Sequence, residues 1–295
     1  MSPNIRPAHP VFGGEVSAID ISQKLSQEEV AAIEAGMDRY AVLVFRDQQL
    51  TDDQQLEFSR NFGELEVTLA GQMAKPEDRR LGDRLELGDI SNLTARNELR
   101  AREDRSRMYA LANRLWHSDA SFRTIGAGYT LLHGRVIPKK GGNTEFADMR
   151  AAYDALADAM RAAIDDLVAE HDVFWSRGQI GFTDFLPGER EKYPPSRQRL
   201  VRRHPGSGRK TLYLSAHASH IVGWPVPEGR ILLCDLNLHA TRPEFVHSHK
   251  WQVGDLVIWD NRCTMHRGRP HDDRWPRDLR RATTLDTTST LDEAA

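Results

Sequence analysis

The run Trp116-His117-Ser118-Asp119, with His266 far downstream in Asp260-Asn261-Arg262-Cys263-Thr264-Met265-His266, offers side chains that can ligate a metal. Two imidazoles and one carboxylate hold a divalent iron on one face and leave the opposite positions open for a co-substrate and dioxygen. The spacing by itself is a weak signal. With 12 His and 25 Asp in 295 residues, about one His-x-Asp pair is expected by chance, and His271-Asp272-Asp273 supplies a second. That second pair lies in a polar Arg/Pro/Asp-rich stretch, and no histidine follows it. His117 instead follows the apolar Leu115-Trp116, and His266 follows the strand-like run Leu256-Val257-Ile258-Trp259. Residues i and i+2 of a strand share one side, so His117 and Asp119 are expected to face one metal together. A surface pair or a satisfied core histidine is the competing reading of the same spacing.

Two arginines and a threonine extend the pattern. Arg277 and Arg281 follow His266 and stand one i,i+4 step apart, so on a strand both point to one face while Arg280 points away. A guanidinium is always charged and matches a carboxylate with two parallel hydrogen bonds. The pair therefore suits two carboxylate ligands near a metal, although the six arginines between Arg267 and Arg281 could equally form a solvated basic face or a phosphate patch. Thr144 could give its hydroxyl to the same carboxylate as Arg277, or simply be a strand threonine.

The elements that must position these groups are legible in part. Ser26-Gln27-Glu28-Glu29 reads as a capping box, with Val30, Ile33 and Met37 on one helical face. Ala41 to Phe45 reads as a buried strand. Thr51 starts a second helix, carried by Leu56, Phe58 and Phe62 and stopped by Gly63. Strands are expected over Tyr129–Val136, Thr144–Phe146, Glu244–His247, Leu256–Trp259 and Ala282–Leu285. Asp148 is expected to cap a helix through Leu156, with further helices over Met160–Leu167 and Pro227–His239. His204-Pro205-Gly206-Ser207-Gly208 is a hairpin turn. Many short strands with helices between them predict one β-sandwich-like or barrel domain spanning 1–295 with helical cover. The long, charged, weakly periodic stretch from about 67 to 114 predicts an active-site lid.

Net charge −3 and pI near 6.5 give no bulk attraction to nucleic acid or anionic lipid, which favours a small-molecule partner. Cys234 and Cys263 suggest neither a disulfide framework nor a zinc knuckle. No apolar run approaches a membrane span and no leader pattern is read, so a cytoplasmic protein and a homo-oligomer are expected.

Six segments carry a resemblance over nearly the whole chain: AVLVFRDQQLTDDQQLEFSRNFG, LWHSDASF, GGNTEFADMRAAYDAL, HPGSGRKTLYLSAHASH, VGDLVIWDNRCTMHRGR and DLRRATTLD. The chain resembles the iron(II)/2-oxoglutarate-dependent dioxygenases of the taurine dioxygenase family, and within it the 2,4-dichlorophenoxyacetate dioxygenases. The resemblance implies a double-stranded β-helix, or jelly roll, with inserted and flanking α-helices. It implies Fe(II) held by His117, Asp119 and His266, and 2-oxoglutarate held at its distal carboxylate by Thr144 and Arg277. Arg281 matches the position that holds the substrate anion, while Asn113 and His217 match pocket positions. The implied reaction uses 2-oxoglutarate and O2 to hydroxylate the methylene beside the ether oxygen of an aryloxyacetate. It releases a phenol, glyoxylate, succinate and CO2.

Other readings stay open. The same chemistry could act on a sulfonate or another small carboxylate, since an arginine does not distinguish these anions. A non-oxidative metal-binding jelly roll would show no 2-oxoglutarate-dependent oxygen uptake. Nucleic-acid demethylation uses the same triad, but the chain lacks a basic groove with interleaved aromatics.

Overall fold

The computed structural model describes residues 3–68 and 76–293. Its strands are Asn4–Pro7 (β1), Gly14–Ser17 (β2), Val42–Phe45 (β3), Gly88–Ser91 (β4), Ala127–Val136 (β5), Thr144–Asp148 (β6), Val168–His171 (β7) and Ser196–Arg199 (β8). They continue with Val201–Arg203 (β9), Lys210–Leu212 (β10), Ala218–Ile221 (β11), Val246–His249 (β12), Leu256–Asp260 (β13), Thr264–Gly268 (β14) and Asp278–Leu285 (β15). One large sheet has the order β1-β2-β3-β13-β5-β15-β4, and a smaller one, β12-β6-β14, faces it.

Alternation along the strands explains the two layers. Leu43 and Phe45 of β3 pack outward on Ile33 and Met37 of helix Gln27–Tyr40 and on Phe58 of helix Asp52–Arg60. Val42 and Val44 pack inward with Phe146 of β6 and with Trp251. β13 repeats the pattern, with Leu256 and Ile258 outward and Val257 and Trp259 inward. Both faces of these strands are covered, which is why their sequence is continuously apolar. On the far side of the small sheet, Ala147 and Met265 pack against Leu233 and Leu236 of helix Val226–Ala240. This is the expected jelly-roll core with helices outside.

The two N-terminal helices begin as their sequences require. Glu29 N–H donates to Ser26 Oγ at 3.2 Å and Ser26 N–H to Glu29 Oε2 at 2.9 Å. Thr51 and Gln54 repeat the exchange. Each cap stabilises its helix by about 1 kcal/mol.

Other boundaries moved. The strand expected over Glu244–His247 begins instead at Val246, because Pro243–Phe245 form a 3-10 turn that buries Phe245. The stretch expected to be a lid contains β4, which completes one edge of the large sheet, and helix Arg105–Ala110 with Asp104 as its cap. Residues 69–75 of that stretch lie outside the described residues. β7 and β8 gave no apolar signal because they bury polar groups: Gln198, fully buried, donates to the carbonyls of Ser121 and Arg123 at 3.1 and 2.7 Å. No described helix is long and apolar enough to cross a membrane.

The Gly141-Gly142 turn sets the entry to β6. Both residues have φ of +75°, and a Cβ on Gly141 would stand 2.4 Å from the carbonyl oxygen of Pro270. Gly141→Ala is expected to cost about 2 kcal/mol or more, since a left-handed backbone and a rigid clash add together. Thermal unfolding of the variant beside the wild type measures it.

Candidate active site

His266 lies on β14 opposite Phe146, facing inward between the sheets, with Trp259 against its ring at 4.6 Å. His117 belongs to no regular strand. It forms a two-way backbone bridge with His266, the N–H to O distances being 3.0 and 2.8 Å, and this sets the two rings 4.2 Å apart. The Asp119 carboxylate lies 3.8 Å from Nε2 of both histidines, and the chain turns only afterwards, at Ala120 with φ of 51°. His117 and Asp119 thus share one side as the i,i+2 spacing predicts, although an isolated bridge and not a regular strand holds them there. Ser118, between them, points away to donate to Thr264 O at 3.0 Å.

Polar contacts fix the orientation of each group. His117 Nδ1 stands 2.8 Å from the carbonyl of Leu115, which can only accept, so Nε2 keeps its lone pair toward Asp119. Thr130 Oγ1 donates to Asp119 Oδ2 at 2.9 Å, and Arg281 donates to Oδ1 at 3.1 Å. Asn261 ties the arrangement together. Its Oδ1 accepts from Asp119 N–H at 3.1 Å and from Trp259 Nε1 at 3.0 Å, and its amide donates to Thr130 Oγ1 at 2.9 Å. Sequence reading assigned no role to Asn261 or Thr130; the available signal was a polar residue within or just after a buried apolar strand.

The electrostatics suit a cation. Burial lowers the pKa of both histidines, that of His266 to about 3, so the imidazoles are neutral. Burial opposes ionisation of Asp119, but the Arg281 guanidinium and the hydrogen bond from the Thr130 hydroxyl favour the carboxylate, and its pKa lies down at about 2. Ligand atoms of His117, Asp119 and His266 lie within 4.8 Å of one another. Two neutral nitrogen donors and one anionic oxygen fit a divalent iron. A second such group, His204, Asp260 and Cys263, has its charge already met. Asp260 accepts from Arg262 at 2.8 and 2.6 Å and sits 2.9 Å from His204 Nε2, so it staples a hairpin tip to β13.

A cavity of about 180 Å³ opens beside the triad, with Thr144, Asn113, Arg277 and Arg281 in its wall. Arg277 and Arg281 do share this face, while Arg280 turns away to Asp278 and Asp89. Among the described residues no acidic side chain reaches Arg277, and burial lowers its pKa to about 10. A half-buried cation with no carboxylate partner is unfavourable, so the site fits an anion there. Thr144 Oγ1 accepts from Trp251 Nε1 at 3.0 Å, leaving its hydroxyl hydrogen to donate. His217 is not a wall of this cavity; it is buried behind His117, edge-on at 6.3 Å. His271, set aside because its stretch is polar and no histidine follows it, does line the cavity.

Known proteins resemble this chain over nearly its whole length. A curated relative from Cupriavidus pinatubonensis, an alpha-ketoglutarate-dependent 2,4-dichlorophenoxyacetate dioxygenase, is 48% identical over 286 residues, covering 97% of this chain and 99% of its own. An (S)-phenoxypropionate/alpha-ketoglutarate-dioxygenase from Sphingobium herbicidovorans is 35% identical over 92% of each chain. The crystal structure of AAD-2 with Mn(II) and N-oxalylglycine superposes with a TM-score of 0.94 at 51% identity, over 98% of this chain and 100% of the other. Residues 4–283 match the taurine catabolism dioxygenase TauD, TfdA family, and the chain belongs to it. It is a 2-oxoglutarate-dependent dioxygenase, with Fe(II) as metal and 2-oxoglutarate and O2 as co-substrates.

Proposed function

We propose that this enzyme hydroxylates the methylene between the carboxylate and ether oxygen of an aryloxyacetate such as 2,4-dichlorophenoxyacetate. The observation that carries the reading is a pair of arginines on one wall beside the His117, Asp119 and His266 cluster, one unpaired and one touching Asp119. The 48% identity to a 2,4-dichlorophenoxyacetate dioxygenase supports this substrate class over a sulfonate.

In this reading His117, Asp119 and His266 hold the iron. When bound, the iron supplies, with 2-oxoglutarate and O2, the oxidant that puts one oxygen atom into a C–H bond while the other leaves in succinate. Arg277 and the Thr144 hydroxyl fix the distal carboxylate of 2-oxoglutarate. Arg281 orients the substrate carboxylate so that the methylene, and not the ring, faces the metal, and orientation of this kind supplies much of the rate. Asn113 borders the substrate side, and His217 backs His117. The product hemiacetal passes its hydroxyl proton to the aryloxide oxygen as the C–O bond breaks, leaving a phenol and glyoxylate.

Within the stretch 67–114, β4 is built into the large sheet, and helix Arg105–Ala110 would serve as the lid, pinned by Arg105 to Glu189 at 3.0 Å and by Arg107 to Asp273, beside the cavity mouth.

Anaerobic loading with Fe(II) and 2-oxoglutarate, followed by O2 and a panel of aryloxyacetates, cinnamates and sulfonates, tests the substrate class. Succinate and phenol should appear together with aryloxyacetates; succinate driven only by a sulfonate would overturn the reading. Arg281→Ala should raise the KM for the organic acid by roughly 30-fold and leave the 2-oxoglutarate KM near its wild-type value.

A further inference from the structure

Trp259, Asn261 and Thr130 form a hydrogen-bond chain that ends on the Asp119 carboxylate, and its direction is fixed at both ends. Thr130 lies on β5 directly opposite Trp259 of β13. Asn261 follows two residues later, its backbone N–H donating to Gly128 O at 2.9 Å. Thr130 and Asn261 are fully buried, so each of their polar atoms must find its partner inside the protein.

The Trp259 indole N–H can only donate, and it meets Asn261 Oδ1 at 3.0 Å; the Asp119 backbone N–H, also a donor only, meets the same oxygen at 3.1 Å. The amide nitrogen of Asn261 therefore faces the other way, where it donates to Gly128 O at 3.2 Å and to Thr130 Oγ1 at 2.9 Å. Having accepted from that amide, Thr130 gives its own hydrogen to Asp119 Oδ2 at 2.9 Å, since a carboxylate can only accept. Thr283 Oγ1, at 3.4 Å, is the more distant alternative. The Trp259 ring also lies 4.6 Å from that of His266, so the same residue braces a second candidate ligand.

We propose that Thr130 is a positioning residue for the metal: its hydroxyl, aimed by Asn261 and Trp259, holds the Asp119 carboxylate in the orientation that binds the divalent ion. Outer groups of this kind orient a ligand and tune its affinity for the metal. Arg281 does not substitute for it, because Arg281 meets the other oxygen, Oδ1, and in the reading above also serves the substrate anion. The inference rests on His117, Asp119 and His266 as the metal ligands and not on the identity of the substrate.

The test titrates the full-length wild type, Thr130→Val, Thr130→Ser, Thr130→Ala and Asp119→Ala calorimetrically with Mn(II), and records thermal unfolding of each with and without the ion. Thr130→Val keeps the shape of the side chain and removes the donor, so Mn(II) binding should weaken roughly 10-fold to 100-fold. Thr130→Ser keeps the donor and should stay near the wild-type value, whereas Thr130→Ala should bind as weakly as the valine variant. Serine and alanine lack the same methyl group and differ only in the hydroxyl, so their comparison holds even if the valine variant does not fold. A purely structural role would lower the metal-free unfolding temperature of the alanine variant and leave the serine and alanine affinities equal; equal affinities would overturn the proposal. Asp119→Ala is the control on the reading beneath it: if that variant bound Mn(II) as the wild type does, the ligand assignment itself would fall, and this inference with it.

Discussion

Asp119→Ala is expected to reduce succinate formation below detection while leaving the fold in place. Asp119 is the one anion of the candidate metal group, so its loss leaves two neutral imidazoles, a poor site for Fe(II). The fold should survive because Asp119 meets Asn261 through its backbone N–H, which alanine keeps. Thr130 retains its bond from the Asn261 amide. Bound metal per chain and thermal unfolding, measured beside succinate release, separate the two effects. Asp119→Asn keeps the shape but removes the charge, and it should fail almost as completely. Wild-type turnover in either variant would remove the metal assignment.

Arg277→Ala is expected to raise the 2-oxoglutarate KM by roughly 30-fold to several-thousand-fold, equivalent to about 2–5 kcal/mol. The size follows from the missing partner: the guanidinium, half-buried in the cavity wall, has no protein carboxylate to fall back on, so its charge is free for a dianionic co-substrate. Its backbone N–H donates to Asn92 Oδ1 at 2.8 Å, and alanine preserves that bond, so the start of β15 should keep its place. Apparent affinity for the organic acid should change little. Steady-state assays that vary each substrate in turn, with an anaerobic binding titration of the co-substrate, check the assignment. Equal KM values in variant and wild type would refute it.

The helices were legible where their caps are local. Ser26 with Glu29 and Thr51 with Gln54 are complete within four residues, and the structure shows both. The continuous apolar runs at β3 and β13 were equally clear, because burial on both faces leaves its mark in composition. β7 and β8 were not, since they bury polar side chains whose partners lie far along the chain: Gln198 meets the Ser121 and Arg123 carbonyls, and His171 Nδ1 meets the Ser121 hydroxyl. The same limit hid Asn261, whose importance lies in joining Asp119, Trp259 and Thr130.

Residue types and spacing by themselves determined that His117, Asp119 and His266 could form one cluster, and that Arg277 and Arg281 could share a face. Those are local properties, fixed by side-chain chemistry and strand periodicity. Only the tertiary structure decided that a single backbone bridge, and not a regular strand pair, brings His266 beside His117 and Asp119. It also decided which arginines lack a partner. Whether a guanidinium is paired depends on which carboxylates the folded chain brings within about 4 Å, and sequence distance carries no record of that.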